Sequence, residues 1–272
     1  MKIHGICLVK NEGDIVEYTL TEAARWCDSI YVYDNGSGDD TWEIVNSMAA
    51  ATPCIIPFRR ENLPFDNALR SKVYNHFKKR ARAGDWWCRL DADEVYIDDP
   101  RIFLGDIPKC YHVLWAAQFQ YYLTDADVQR FAADEAHAPK MNAGTLPRSY
   151  AANASEARFF RHRDRLRWDY GAWPRHLGLV FPTRIRLKHF QNMSPAQIQL
   201  RLDTRHRAIR DGTPDFPHID VTNWRDTIPK HELSVDTGDG RYEIDECRLP
   251  PYRETPLQQA LKRFMHGLQI WP

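Results

Sequence analysis

An apolar run climbs into three acids at Trp86-Trp87-Cys88-Arg89-Leu90-Asp91-Ala92-Asp93-Glu94. A short apolar run ending in turn residues reads as a buried strand of a mostly parallel sheet, and ligands bind beyond the carboxyl ends of such strands. Alternation along a strand sets Asp91 and Asp93 on one side, roughly 7 Å apart. Two carboxylates aimed into one crevice repel each other and need a basic side chain or a hard cation beside them. One or two carboxylates plus substrate phosphates is the usual way of holding Mg²⁺, and Mn²⁺ suits similar ligands. A solvated loop explains the three acids equally well, so the rest of the chain has to decide.

The elements that must position these acids are legible in the first hundred residues. Ile3 to Val9 reads as a strand that ends on Lys10-Asn11-Glu12-Gly13, and Asp14 to Cys27 has helical apolar spacing. Ser29 to Tyr33 is a second strand, closing on Asp34-Asn35-Gly36-Ser37-Gly38-Asp39-Asp40. Asp40 with Glu43 fits a capping box for the next helix. Pro53 to Phe58 is a third strand and Asp66 to Ala83 a helix with Leu69, Val73 and Phe77 inward. The order β-α-β-α-β-α-β is that of a doubly wound nucleotide-binding half. Neither G-x-G-x-x-G nor G-x-x-x-x-G-K-[ST] is present, which argues against a dehydrogenase or a P-loop NTPase.

Three stretches carry a resemblance: LVKNEGDIVEYTL, YVYDNGSGDDT and DWWCRLDADE. In this order and spacing they resemble the landmarks of family 2-type glycosyltransferases with a GT-A fold and a DxD motif, over about residues 1–125 and less completely over 180–212. The resemblance implies transfer of a sugar from a nucleotide diphosphate sugar, with inversion and a divalent metal, Mn²⁺ or Mg²⁺. By position, Asp34 would contact the nucleotide base, Asn11 and Glu12 would line its pocket, Arg70 would sit near the donor, Asp91 would face nucleotide or sugar, and Asp93 would ligate the metal. A histidine after the acceptor region completes the metal site in resembling enzymes, and His189 fits that place; a core histidine with one hydrogen bond is the plainer reading. As a loop acid, Asp93 would be replaceable by Ala with loss of metal-dependent donor binding and little loss of stability. For Arg70, a helix-surface cation is the plainer reading.

The second half is less regular. Tyr111 to Leu123 looks like another strand, whereas residues 124–179 lose clear periodicity, as a lid or binding segment does. Six cations or histidines fall within Arg158 to Arg167, where they would meet a donor diphosphate, an anionic acceptor or plain solvent. An inverting transfer needs a base for the acceptor hydroxyl. Asp169 is the first candidate because it stands among aromatics, with Asp164 and His176 as alternatives. The Gln-x-x-Arg-Trp motif of processive members is absent, so a single-addition enzyme is expected rather than a polymer synthase. Arg184 to Phe190 alternates as a strand, and Ser194-Pro195-Ala196-Gln197 opens a helix with Ile198, Leu202 and Ile209 inward and Gly212 as its stop. Residues 213–254 read as an extended tail, and Thr255-Pro256-Leu257-Gln258 opens a last helix whose Leu257, Leu261, Phe264 and Leu268 should dock on the domain.

Composition sets the remaining expectations. At 272 residues with 43% hydrophobic content the chain has material for a sizeable core, and Lys+Arg 37 against Asp+Glu 37 gives no global reason to expect nucleic acid as a partner. Six cysteines without C-x-x-C or zinc-finger spacing suit a reduced, cytoplasmic protein. The amino terminus lacks a signal-peptide pattern, and no apolar run approaches a membrane span, though resting on a membrane surface stays open. The expectation is therefore an α/β, GT-A-like (Rossmann-like) domain over 1–212, with a nucleotide-sugar half at 1–125 and an acceptor and lid half at 126–212. An extension over 213–272 follows. The acceptor would be a glycan, a lipid-linked group or a protein, as in surface polysaccharide biosynthesis. A nucleotidyltransferase, or an inactive nucleotide-sugar binding module, is the alternative.

Overall fold

The computed structural model describes residues 1–131, 140–142, 144–210, 220–250, 252 and 254–272. In chain order, β1 (Ile3–Val9), α1 (Val16–Ala24), β2 (Ser29–Asp34), α2 (Thr41–Ala51), β3 (Ile55–Arg60), α3 (Leu69–Phe77) and β4 (Trp86–Asp91) alternate strictly. There follow β5 (Glu94–Tyr96), α4 (Pro100–Gly105), β6 (Val113–Tyr122), α5 (Asp125–Phe131), β7 (Ser149–Arg161), β8 (Ile185–His189), α6 (Pro195–Arg210), β9 (Ser234–Val235) and α7 (Pro256–Gly267). The fold is α/β: one sheet in the order β3-β2-β1-β4-β7-β6-β8-β5, with β9 added on β7. The first four strands are parallel, β7 runs antiparallel to β4 and β6, and β8 is parallel to β6.

Parallel strands joined by helices are covered on both faces, so they must be apolar on both. Val16, Leu20 and Ala23 of α1 and Val45 of α2 pack one face, over Cys7, Val32, Cys88 and Leu90. Leu69, Val73, Tyr74 and Phe77 of α3 pack the other, over Ile6, Tyr31, Tyr33 and Trp87. Both sides of the acid-bearing strand are therefore held rigid, which is what a precise site requires.

Several elements differ from expectation. The α-helix expected to Ala83 ends at Phe77 and tightens into a 3₁₀ turn over Lys78–Arg80, because beyond Phe77 only cations remain until Ala81 and nothing there can be buried. The capping box at Asp40 does not form: Asp39 accepts from Thr41, while Asp40 pairs with Lys140 at 2.7 Å. Within the stretch lacking periodicity stands the longest described strand, β7, whose Ala- and Ser-rich first half is paired along β6 with two register shifts that blur the alternation. The expected stop at Gly212 lies outside the described residues.

The apolar stripe of α7 does not dock. Leu257, Leu261, Phe264 and Leu268 are all exposed, and the helix is held instead through Lys262, which donates to Gly178 O at 2.8 Å and pairs with Glu254. The segment before it is a built part of the sheet layer. Tyr242 and Leu249 join Phe119 and Tyr150 in one apolar cluster, and buried Arg184 ties the segment down through Ser155, Glu246, Pro250 O and the face of Tyr252. Arg184→Ala should free this segment. Trypsin cleavage within residues 220–250 is expected to accelerate by about tenfold, since local opening sets the rate; an unchanged cleavage rate would show that the arginine is not its anchor.

Candidate functional site

Strand register brings the acids to one edge. Val9 pairs with Asp34 and Leu8 with Asp91, so both acids leave the sheet at its carboxyl end, flanking β1. With strands about 4.8 Å apart, they sit across the loop that carries Asn11 and Glu12. This is the crevice where open α/β sheets bind ligands.

The loops after β1 and β2 are laced together. Asp34 is buried, and its Oδ1 accepts from Ser37 N at 2.6 Å. Its Oδ2 and the amide nitrogen of Asn35 are buried without a hydrogen-bond partner among the described residues. Asn11, in the left-handed region at φ 55°, donates its N–H to Ser37 Oγ at 2.9 Å and accepts from Gly38 N at 2.8 Å. Gly36 is required where it stands: φ is +77°, and an added Cβ would lie 2.7 Å from Asn62 Cβ.

The acids after β4 are met by arginines from elsewhere in the chain. Asp91 lies 2.5 Å from Arg70 of α3, 3.3 Å from Arg158 of β7 and 3.8 Å from Arg89. Burial alone would raise its pKa, but the Arg89, Arg70 and Arg158 guanidiniums outweigh it and hold the carboxyl well below the usual range. Arg70, read from sequence as a surface cation or a donor contact, is buried and serves this acid. Glu94 is wholly buried, paired with Arg158 and accepting from Gln118 at 3.1 Å. Burial pushes its carboxyl up to about 7 against the pull of Arg158.

Asp93 has a separate set of partners. The chain turns after Asp91, so strand alternation does not extend to Asp93, and the two acids are held by different cations instead of sharing one. Asp93 Oδ2 stands 2.8 Å from Arg201 of α6 and 3.3 Å from His189 Nε2 of β8. Burial opposes its charge, but His189 and Arg201 keep it ionised. The same Arg201 holds both oxygens of Glu12 at 2.8 and 2.9 Å, although burial still raises the Glu12 carboxyl. Asp93 is thus a buried, paired acid and not an exposed loop acid, and its removal would uncover Arg201 and cost stability.

The donor set bears on the divalent metal that the sequence leads one to expect. Asp93 and His189 converge, and the His189 ring nitrogen Nδ1 is buried with no partner among the described residues. One carboxylate and one imidazole suit Mn²⁺ or Mg²⁺ when substrate phosphates complete the shell. Among the described residues no three acids, histidines or cysteines form a metal cage by themselves.

The three candidates for a base are not brought here. β7 runs antiparallel to β4, pairing Arg161 with Trp86, so the chain leaves β7 at the opposite edge of the sheet from Asp91. Asp164 is exposed just beyond that point, Asp169 is exposed beside Arg175 at 3.8 Å, and His176 stacks on Trp271. Of the six cations and histidines of that stretch, Arg158 reaches the acids, while Arg161, Arg163 and Arg165 donate to backbone carbonyls far from them. Sequence reasoning named Arg158 only as one of a cluster that would meet a diphosphate, an acceptor or solvent, and it missed Arg201. For Arg201 the available signal was a helix face repeating arginine at 201 and 205.

Asp91→Asn leaves three guanidiniums facing one another, whereas Arg70→Met leaves Asp91 two cations and keeps the side-chain volume. Urea denaturation should show a loss of about 3–5 kcal/mol for Asp91→Asn and less than half of that for Arg70→Met. Equal losses would mean that Asp91 depends on Arg70 alone.

No protein-family model matches the chain, and neither does any curated protein sequence. Solved structures do show likeness. The *S. aureus* protein TarS, residues 1–349, in complex with UDP-GlcNAc is 16% identical over 46% of this chain and 36% of that one, with a TM-score of 0.34. The mannosyltransferase PcManGT from *Pyrobaculum calidifontis*, in complex with GDP-Man and Mn²⁺, is 14% identical over 78% of this chain and 65% of its own, with a TM-score of 0.43. Glucosyl-3-phosphoglycerate synthase from *Mycobacterium tuberculosis*, with Mn²⁺, UDP and phosphoglyceric acid, is 15% identical over 76% and 64%, with a TM-score of 0.31. This chain therefore spans from about a third to just under two thirds of the lengths of these proteins.

Proposed function

We propose that the protein is a glycosyltransferase of GT-A type that uses a nucleotide diphosphate sugar, with Mn²⁺ or Mg²⁺. The observation that carries this reading is the crevice at the carboxyl end of β1, β2 and β4. There a buried acid with a free oxygen, Asp34, and a set of arginine-paired acids stand on either side of one loop. A nucleotide base presents N–H groups, which match an unpartnered carboxylate oxygen, and Asn35 has an unpartnered amide donor beside it. Asn11 and Glu12 line the same pocket, and Arg70 and Asp91 lie toward the sugar and diphosphate.

Asp93 and His189 would hold the metal, which when bound offsets the negative charge growing on a departing nucleoside diphosphate. The chain's own guanidiniums, fixed by Asp91 and Glu94, supply preorganised positive potential beside it. Transfer with inversion requires a carboxylate near the acceptor hydroxyl; Asp164, Asp169 and His176 follow β7 at the other edge of the sheet from Asp91. The loop after β1 provides neither the glycine-rich nor the basic character that a nucleotidyltransferase phosphate loop needs. Among the described residues no helix is long and apolar enough to cross a membrane.

Nucleoside diphosphates screened by thermal shift with and without Mn²⁺ test the reading. One of UDP or GDP should raise Tm in a metal-dependent way, by mass action on the folded state. Asp34→Ala should abolish the shift at equal concentration. No shift with any nucleotide would overturn the donor site, and binding without transfer or slow donor hydrolysis would leave a binding module and not an enzyme.

A further inference from the structure

Helix α6 brings two arginines to the acids. Arg201 and Arg205 are four residues apart and so share a helix face. Arg201 holds the two Glu12 oxygens and Asp93 Oδ2, and its other nitrogen donates to Gln191 O at 2.8 Å. Arg205 lies in the field of Arg201, Asp93 and Glu12, and among the described residues it has no hydrogen-bond or ion-pair partner.

The Asp93 oxygen that Arg201 occupies is the one facing His189 Nε2. A divalent ion bound between Asp93 and His189 would therefore compete with a guanidinium for a single oxygen atom. A dication and a guanidinium a few ångströms apart repel strongly in a buried site, so each weakens the other's hold on Asp93. We propose that Arg201 is a resident counter-cation that must release Asp93 before a divalent ion is held there, and that the diphosphate of the nucleotide is what draws it away. The inference rests on the donor-site reading above.

In the free protein Arg201 bridges Glu12 and Asp93, with His189 also beside Asp93, so the acids are held without a metal. A nucleoside diphosphate brings oxygens that accept from Arg201 and Arg205 and that also complete the ion's shell. Metal and nucleotide are then positively coupled, and by linkage each tightens the other by the same factor. Arg201 acts here as a positioning and gating residue. It keeps the acids charge-balanced until the donor arrives.

The test is a Mn²⁺ titration, with free Mn²⁺ followed by electron paramagnetic resonance, on the full chain with and without UDP or GDP. Wild type should bind Mn²⁺ at least about tenfold tighter when the nucleotide is present. Arg201→Gln should bind Mn²⁺ alone about fivefold tighter than wild type does and should lose most of the coupling. Arg201→Met, which removes the charge and keeps the side-chain volume, should move the same way and serves if the glutamine variant does not fold. Asp93→Asn should lose the site ion with or without nucleotide. Arginine variants that bind Mn²⁺ no tighter than wild type overturn the gate. So does a wild type that binds nucleotide tightly with no metal coupling, an outcome that leaves the donor site standing. Absence of nucleotide binding in every protein would instead sink the donor-site reading, and the gate with it.

Discussion

Buried charge must be balanced, and the carboxyl edge of this sheet is organised by that demand. Glu12, Asp91, Asp93 and Glu94 come from two loops a few residues long, while their partners come from α3, β4, β7, β8 and α6. An ionised carboxylate taken from water without a partner costs several kcal/mol, so these distant elements have to reach their places together. The first half of the chain supplies the acids, and Arg158, His189 and Arg201 tie the second half to them. Such pairs are weak evidence of stability, yet removing one partner of any of them leaves an uncompensated buried charge.

The turn after Asp91 divides the acids into two compartments. Asp91 and Glu94 share Arg158, which with Arg70 makes a rigid and permanently charged wall. Asp93 and Glu12 share Arg201, which reaches them from α6 and also donates to Gln191 O. One compartment is built to stay as it is, and the other is built around a cation that can be exchanged. A donor carrying a diphosphate would meet both.

The carboxyl-terminal part shows how far polar contacts can override an apolar pattern. Helix α7 has a well-formed capping box at Thr255 and Gln258, and its apolar stripe is regular, yet Lys262 and not the stripe meets the protein. Arg163 and Arg165, which the sequence offers to a diphosphate, an anionic acceptor or solvent, bind the backbone at His176 and Gln269 and so fasten this end of the chain. Residues 220–250 are mostly exposed but are fastened through Arg184, and their Tyr242 and Leu249 join the fold's apolar interior.

Sequence alone determined the strands and helices of the first hundred residues, because burial on both faces and 3.6-residue periodicity are local properties written in apolar spacing. It also determined that Asp34 and Asp91 end strands at one edge, since parallel β-α-β order puts strand ends together there; that both flank β1 was decided by the sheet order. It could not show β7, whose small residues carry little periodic signal and whose pairing is made by β6. Nor could it place Asp164, Asp169 and His176, because whether a segment returns to the site depends on the direction in which β7 runs. The partners of the acids were decided only by the tertiary structure: a cation at position 158 or 201 looks like any solvated arginine until folding sets it against a carboxylate 64 or 108 residues away.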